Sequence, residues 1–250
     1  FSIANSLTQY LADGETVTAV YTITVTDDSG TGTDTATQDV TVVITGTNDA
    51  PTITVVDVAG AVTEDAATPN LTDSGSVTFA EVDDTDLIRS SVALSSTSTT
   101  GPVIPAGLTT ALNTALSLTQ TGTNDGSIAW DFSVANSLTQ YLADGETVTV
   151  TYTITVADDS GTGTDTTTQD VTITITGTND SPIITGGPDT SSLTETNAGL
   201  SDTGTLTISD VDTTDTVVAA VDLVTVSGTG VGSVPPSLDN PTLQSFLTVA

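Results

Sequence analysis

The sequence has no cysteine, no histidine and no methionine, and Arg89 is its single basic residue. Without cysteine or histidine there is no disulfide framework, no thiol nucleophile, no Ser-His-Asp triad and no zinc or iron site of the usual ligands. With one arginine and no lysine, nothing can neutralise a phosphate backbone or an anionic lipid surface, which excludes nucleic acid and electrostatic membrane docking. No apolar run approaches the ~20 residues of a spanning helix, so no membrane insertion is expected in this segment. The first residues, FSIANSLTQY, lack a basic region followed by an apolar one and do not read as a signal peptide. The chain reads as an interior slice of a longer array.

What is present is acid and threonine. The 250 residues carry 32 Asp and Glu, for a formal charge of −31. The inorganic partner left for such a chain is a hard cation held by oxygen, and Ca2+ fits best. Leu, Ile, Val and Phe make up about a quarter of the sequence, above the ~20% below which a core is implausible. Threonine supplies nearly another quarter, and β-branched residues favour strands over helices. An ordered all-β protein is expected, its carboxylates repelling one another until something neutralises them.

An internal repeat sets the organisation. Residues 1–51 and 132–182 differ at only eight of 51 positions, at an offset of 131. The match continues more weakly. Glu64 falls on Glu195, and LTDSGSVTFAEVDDTD (71–86) falls on LSDTGTLTISDVDTTD (200–215) after a two-residue deletion. The chain is therefore the C-terminal part of one repeat (1–50), a complete repeat (51–181) and the N-terminal part of the next (182–250).

Within the repeat, TVTVTYTITVA from Thr147 alternates strictly, with Val148, Val150, Tyr152, Ile154 and Val156 on one face and threonines on the other. After the turn-rich DDSGTGTD (158–165), QDVTITITG places Val171, Ile173 and Ile175 on one face. That predicts an antiparallel hairpin with one apolar and one hydroxyl-rich side. Substitutions between the copies agree: inward Val150 is Ala19 and Ile173 is Val42, whereas outward Thr151 is Val20 and Thr174 is Val43. Two further strands are read at 51–64 and 75–82, with Val77 and Phe79 inward. A short helix is read at 106–118 on the spacing of Leu108, Leu112 and Ala115, followed by a strand at 116–121 and another carrying Trp130. About seven strands in 131 residues predict tandem immunoglobulin-like or cadherin-like β-sandwich domains joined end to end.

The acids recur at strand ends. Tracing strand directions gathers Glu64, Asp144, Glu146, Asn179 and Asp180 at one end of the sandwich, and Glu81, Asp83, Asp86, Asp158 and Asp159 at the other. In a tandem array the first end of one repeat meets the second end of the next. Calcium takes six to eight oxygens in a forgiving geometry. Any one of these acids serves equally well as a turn residue; their return at corresponding ends in each copy is what points to ligation. The first junction would use Asp13, Glu15, Asn48 and Asp49 with Glu81, Asp83, Asp86 and Asp158. The second would use Glu64, Asp144, Glu146, Asn179 and Asp180 with Asp210, Asp212 and Asp215.

This pattern resembles the calcium-dependent cadherin repeat and, more closely, the bacterial cadherin-like repeats called VCBS repeats, over the full chain. In the cadherin repeat a first-strand Glu, an LDRE segment, a DxNDN linker and a DxD of the following domain build the inter-domain calcium site. By this resemblance Glu64 stands for the first-strand Glu, and LADGE supplies Asp144 and Glu146. GTNDSP supplies Asn179 and Asp180, SDVDTTD supplies Asp210 and Asp212, and ADDSG supplies Asp158. Gly177 departs from the linker's first Asp and Ser181 (Ala50 earlier) from its last Asn, which leaves the number of ions per junction open. The resemblance implies the stalk of a large secreted or cell-surface bacterial adhesin, extracellular, stiffened by calcium between neighbouring repeats and serving attachment and biofilm. The alternatives are a subunit of a self-assembling extracellular filament, in which copies of the chain meet in a fibre or matrix, and a glycan- or protein-binding module. No enzyme is expected, since the paired carboxylates lie at domain junctions rather than beside aromatic sugar platforms. GGPD (186–189) reads as an isolated turn.

Overall fold

A computed structural model of the chain describes residues 1–30, 32, 35–65, 67–163, 165–187, 190–226 and 240–249. Among the described residues strands account for 44% and helices for 7%, so the fold is all-β. It divides into two units, Phe1–Asn179 and Asp180–Ala250.

The first unit opens with a two-stranded antiparallel hairpin, β1 (Thr16–Thr26) and β2 (Thr35–Thr45), pairing Thr16 with Thr45 through to Thr26 with Thr35. A sandwich follows. One sheet has the order β3-β5-β8-β7, from Thr52–Asp57, Asn70–Ala80, Gly126–Ala135 and Leu116–Thr121 respectively. The facing sheet has the order β4-β10-β9-β6, from Ala59–Thr63, Thr166–Thr176, Thr147–Ala157 and Arg89–Thr99. A short helix, α1 (Ala106–Leu112), precedes β7 and buries Leu108 and Leu112 at the predicted spacing.

The alternation read from Thr147 is the core. Val148, Val150, Ile154 and Val156 on β9 and Val171, Ile173 and Ile175 on β10 are fully buried, each such side chain contributing ~1.5–3 kcal/mol by leaving water. From the other sheet come Val77, Phe79, Ile128, Trp130 and Phe132. Phe132 meets Tyr152 in a tilted ring contact at 6.4 Å, and the Tyr152 hydroxyl donates to the Leu112 carbonyl at 2.7 Å, tying the helix to the sheet. Burial pushes that hydroxyl's pKa well up. The indole of Trp130 lies over Gly75 and near Gly60: a Cβ on Gly75 would fall 2.4 Å from the ring.

Three readings are corrected. The segment 51–64 is not one strand: β3 pairs antiparallel with β5, and the chain then crosses at Asp57–Val58 so that β4 pairs in parallel with β10. The Trp130 indole N–H donates to the Asp57 carbonyl at 2.7 Å and pins that crossing. The strand read at 75–82 begins at Asn70. The third is a strand left unread, β6, an edge strand whose half-buried Ser90, Val92 and Leu94 are diluted by serines and threonines on both faces. Of GGPD, residues 188 and 189 lie outside the described residues.

The second unit contains a short antiparallel pair, β11 (Ile183–Gly186) with β12 (Thr207–Ser209), and a helix α2 (Asn240–Gln244). Ile184 opposite Ile208 repeats the register of Ile53 opposite Phe79. Among the described residues no helix is long and apolar enough to cross a membrane.

Candidate metal centre

Four segments of the first unit converge where β5 and β9 end: the turn before β1, the link after β2, the loop after β5 and the turn after β9. The turn before β1 is closed by Glu15, whose Oε2 accepts the Ala12 N–H at 3.1 Å. Gly14 makes that turn possible with φ 76°, a conformation that side chains resist. The same closure recurs at Glu146, which accepts the Ala143 N–H at 3.1 Å beside Gly145.

The carboxylates are fixed by main-chain donors. Glu81 Oε1 accepts the N–H of Val82 at 2.7 Å and of Asp83 at 3.2 Å. Asp83 Oδ2 accepts the Asp49 N–H at 2.9 Å. Asp158 Oδ1 accepts the Ser160 N–H at 3.0 Å, and its Oδ2 accepts from the Asn48 amide at 3.2 Å. Asp159 accepts the Leu87 N–H at 2.8 Å. Glu15 Oε1 accepts the Thr85 hydroxyl at 3.0 Å, and the Asp84 N–H donates to the Tyr10 carbonyl at 3.1 Å. The link and turn around the hairpin are thereby tied to the sandwich through its acids.

Glu81, Asp83, Asp86 and Asp158 are all buried. Burial raises the pKa of Glu81, Asp83 and Asp86 above the ordinary carboxylate value, and like charges add to it. Asp158 acts on all three, Asp49 and Glu15 on Asp83, and Glu15 and Asp159 on Asp86. Among the described residues, four buried carboxylate oxygens of this group have no hydrogen-bond partner: Asp49 Oδ2, Glu81 Oε2, Asp83 Oδ1 and Asp86 Oδ2. An unsatisfied buried acceptor costs ~1–3 kcal/mol, so four together weigh as much as a typical domain's whole stability. An all-oxygen set of this kind fits a hard cation. Among the described residues no three such side chains are closed around a common point, so holding an ion would require side-chain rotation or oxygens from the main chain and Asn48.

The structure therefore brings together Glu15, Asn48, Asp49, Glu81, Asp83, Asp86 and Asp158 of the first expected junction, while Asp13 is exposed on the turn. Asn124 and Asp125 join them unforeseen: the Asn124 amide donates to the Asp83 carbonyl at 2.8 Å, and Asp125 accepts the Glu81 N–H at 3.1 Å. The signal was in the sequence, since GTND at 122–125 is the tetrapeptide of 46–49 and 177–180.

At the other end of the sandwich Glu64 is wholly buried. Its Oε2 accepts the Thr178 N–H at 3.0 Å and the Thr178 hydroxyl at 2.9 Å, and Oε1 accepts from the Gln140 amide. Glu146 is half-buried, while Asp144 and Asn179 are exposed. Gly177 and Gly46 explain the departure from the cadherin linker. A Cβ at Gly177 would lie 2.4 Å from the Leu142 carbonyl oxygen, and at Gly46 2.2 Å from that of Leu11, so no aspartate fits.

The second unit repeats two bonds of the first arrangement, those of Asp49 and Asp83. The Asp180 N–H donates to Asp212 Oδ2 at 2.8 Å and the Asp212 N–H to Asp210 Oδ1 at 3.1 Å. Asp212 is buried with Oδ1 unpartnered. Burial raises its pKa, and so do the charges of Asp180, Asp210 and Asp215. Asp215 itself is exposed.

No family model and no curated protein matches the chain. Among solved structures, it is similar to the zebrafish RET cadherin-like domains 1 to 4, at 13% identity and a TM-score of 0.30 over 65% of this chain. It is also similar to CfaE, the adhesive subunit of the CFA/I fimbria of enterotoxigenic Escherichia coli, at 14% identity and a TM-score of 0.35 over 68% of this chain. A protein of unknown function from Porphyromonas gingivalis matches at 12% identity and a TM-score of 0.24, over 65% of this chain and 66% of its own. The match spans 31% of the RET chain and 59% of the fimbrial subunit. At these scores the likenesses carry no weight for function, which has to be argued from the carboxylates.

Proposed function

We propose that this chain is a segment of a calcium-stiffened tandem-repeat stalk of a secreted or cell-surface bacterial adhesin, extracellular, serving attachment and biofilm formation. The observation that supports this reading is the buried carboxylate group at the junction of residues 1–50 with the sandwich, its oxygens split between main-chain donors and no partner, and its recurrence at Asp180, Asp210 and Asp212. Asp49 Oδ2, Glu81 Oε2, Asp83 Oδ1 and Asp86 Oδ2 would hold the ion, with Glu15, Asn48 and Asp158 alongside. When bound, calcium supplies positive charge that the sequence lacks near these groups. The chain's own residues do the rest: Glu15 with Thr85 and Asn48 with Asp158 fix the link against the sandwich, and the ion would lock that register.

Calorimetric titration tests the reading. Uptake of calcium at millimolar concentration or below is expected, with magnesium weaker because it demands a stricter octahedron. Small-angle scattering should give a longer maximum dimension in calcium than in chelator. No heat of binding at millimolar calcium would end this proposal.

A further inference from the structure

The repeat 51–181 is complete, so the outer strands of its two sheets are its own edges. Three of them are short: β3 and β7 have six residues and β4 has five. The fourth, β6, has eleven, RSSVALSSTST. A free edge bares main-chain donors and acceptors, and proteins guard it by shortness, proline or charge. β6 has none of these beyond Arg89 at its first position, and no acid in a chain that carries 32. It ends its sheet, and among the described residues no main-chain bond reaches residues 89–99 other than those to β9.

The one irregularity of β6 is an extra residue, Ser95, between Leu94 beside Tyr152 and Ser96 beside Thr151. It reverses the alternation. Ser90, Val92 and Leu94 lie beside the inward residues of β9 before it, and Thr97 and Thr99 do so after it. Ser91, Ala93, Ser96 and Ser98 turn outward and are exposed. Residues directly opposite in an antiparallel pair share a face, so two copies of β6 match only where the half before Ser95 meets the half after it. One register does this along the whole strand. Arg89 stands opposite Thr100 of the second copy, Ser91 opposite Ser98, Val92 opposite Thr97, Ala93 opposite Ser96 and Leu94 opposite Ser95. The two extra residues then fall at the centre and neither strand has an excess. The same register answers the charge. A Cβ on Gly101 would lie 2.6 Å from Glu146 Oε2, so that carboxylate sits just past the end of β6. Arg89, the chain's only basic side chain and an exposed one, arrives there from the second copy, and the two-fold axis makes the match twice.

We propose that β6 is a self-association edge, through which two copies of this chain pair antiparallel and join their β4-β10-β9-β6 sheets into one continuous sheet. β6 runs the length of the sandwich, with Arg89 beside Ala157 and Thr99 beside Val148, so the paired sandwiches lie head to foot. That is the contact of chains reaching toward each other from two surfaces, since chains standing side by side on one surface would offer each other parallel edges. A single ladder of this kind is weak, and repeats linked in tandem multiply it by effective concentration.

The absence of cysteine makes the test direct. Opposite residues of an antiparallel pair have Cα atoms ~4.5–5.5 Å apart, inside the ~4.4–6.8 Å that a disulfide takes. Ser91→Cys and Ser98→Cys are made in separate chains, mixed at about 0.15 M salt and oxidised mildly. The mixture should give a disulfide-linked dimer on a denaturing gel, in chelator as in calcium. Each variant alone should stay monomeric, because the two copies of position 91 lie seven residues apart along the pair, ~23 Å at ~3.3 Å per residue. Adding Ala93→Asp to both chains places a charge at the centre of the edge and should abolish the dimer. Trp130 emission should stay unchanged, since Ala93 is exposed and no part of the sandwich core. A linked dimer from either variant alone, none from the mixture, or one that survives Ala93→Asp would each overturn the proposal. None of these outcomes bears on calorimetric calcium uptake, so the two readings fail separately.

Discussion

Replacing Asp83 by Asn should stabilise the chain in chelator and weaken its response to calcium, two effects of opposite sign from one atom. Asp83 is wholly buried. Its Oδ2 accepts the Asp49 N–H at 2.9 Å, and Oδ1 has no partner among Asp49, Asp158 and Glu15, whose charges all oppose its own. Asparagine keeps one oxygen for the Asp49 N–H and turns the other position into a donor facing carboxylates. Relief of one unsatisfied buried acceptor is worth ~1–3 kcal/mol, and ~1 kcal/mol moves the melting temperature of a unit this size by ~2–4 °C. With calcium at about a hundred times its Kd, binding stabilises the wild type by ~2.7 kcal/mol. A tenfold loss of affinity leaves ~1.4 kcal/mol, so the calcium-induced shift should fall by about half. Thermal melts of both chains in chelator and in calcium read both signs. A variant that melts below wild type in chelator would make Asp83 an ordinary turn acceptor. An unchanged calcium shift would remove it from the ligand set.

Acidification in chelator should raise the melting temperature. Glu81, Asp83, Asp86 and Asp212 have pKa values raised above 4.5 for the glutamate and 3.8 for the aspartates. The folded state therefore binds protons more tightly than the unfolded, and stability present below those values is lost as pH rises through the folded ones. Asp27 and Asp65, held low by main-chain and side-chain donors, act in the opposite direction only below about 3.8; a melting temperature that falls steadily from pH 7 to 4.5 would refute the sign. Gly75→Ala should cost ~1–3 kcal/mol or more by driving a methyl into the Trp130 ring, read as a lower urea midpoint and a red shift of the lone tryptophan; an unchanged midpoint would mean the ring is free to move. Tyr152→Phe should cost ~1–3 kcal/mol by leaving the buried Leu112 carbonyl without its donor, measured as a lower urea midpoint, with a neutral result showing that α1 does not depend on that bond.

The β9–β10 hairpin was legible because its alternation is uninterrupted for eleven residues and only one register buries five apolar side chains. Helix α1 was legible from two leucines four apart. The strand crossing at Asp57–Val58 left a fainter trace: inward positions change from odd (Ile53) to even (Val58, Val62, Glu64), the parity change an inserted residue makes. Its cause, the indole of Trp130 reaching Asp57 from another strand, is tertiary and invisible to a linear reading. The first carboxylate group was legible because the repeat returned each acid to the same strand end. Which oxygens keep a partner was not, since that depends on main-chain donors as distant in sequence as Asp49 from Asp83.

The parallel pairing of β4 with β10 has a mechanical consequence. Ala59 lies beside Thr172 and Thr63 beside Thr176. The ladder is extended at its ends by the Thr172 N–H to the Val58 carbonyl at 3.0 Å and the Glu64 N–H to the Thr176 carbonyl at 2.8 Å. Tension applied through Pro51 and Gly177 drags these two neighbouring strands in opposite directions along their own axes. Every bond of the ladder then carries load at the same moment and must yield together, where an antiparallel hairpin pulled at its open end would unzip one bond at a time. A repeat wired in this way resists being pulled lengthwise far more than the same number of bonds would in a hairpin opened from its end.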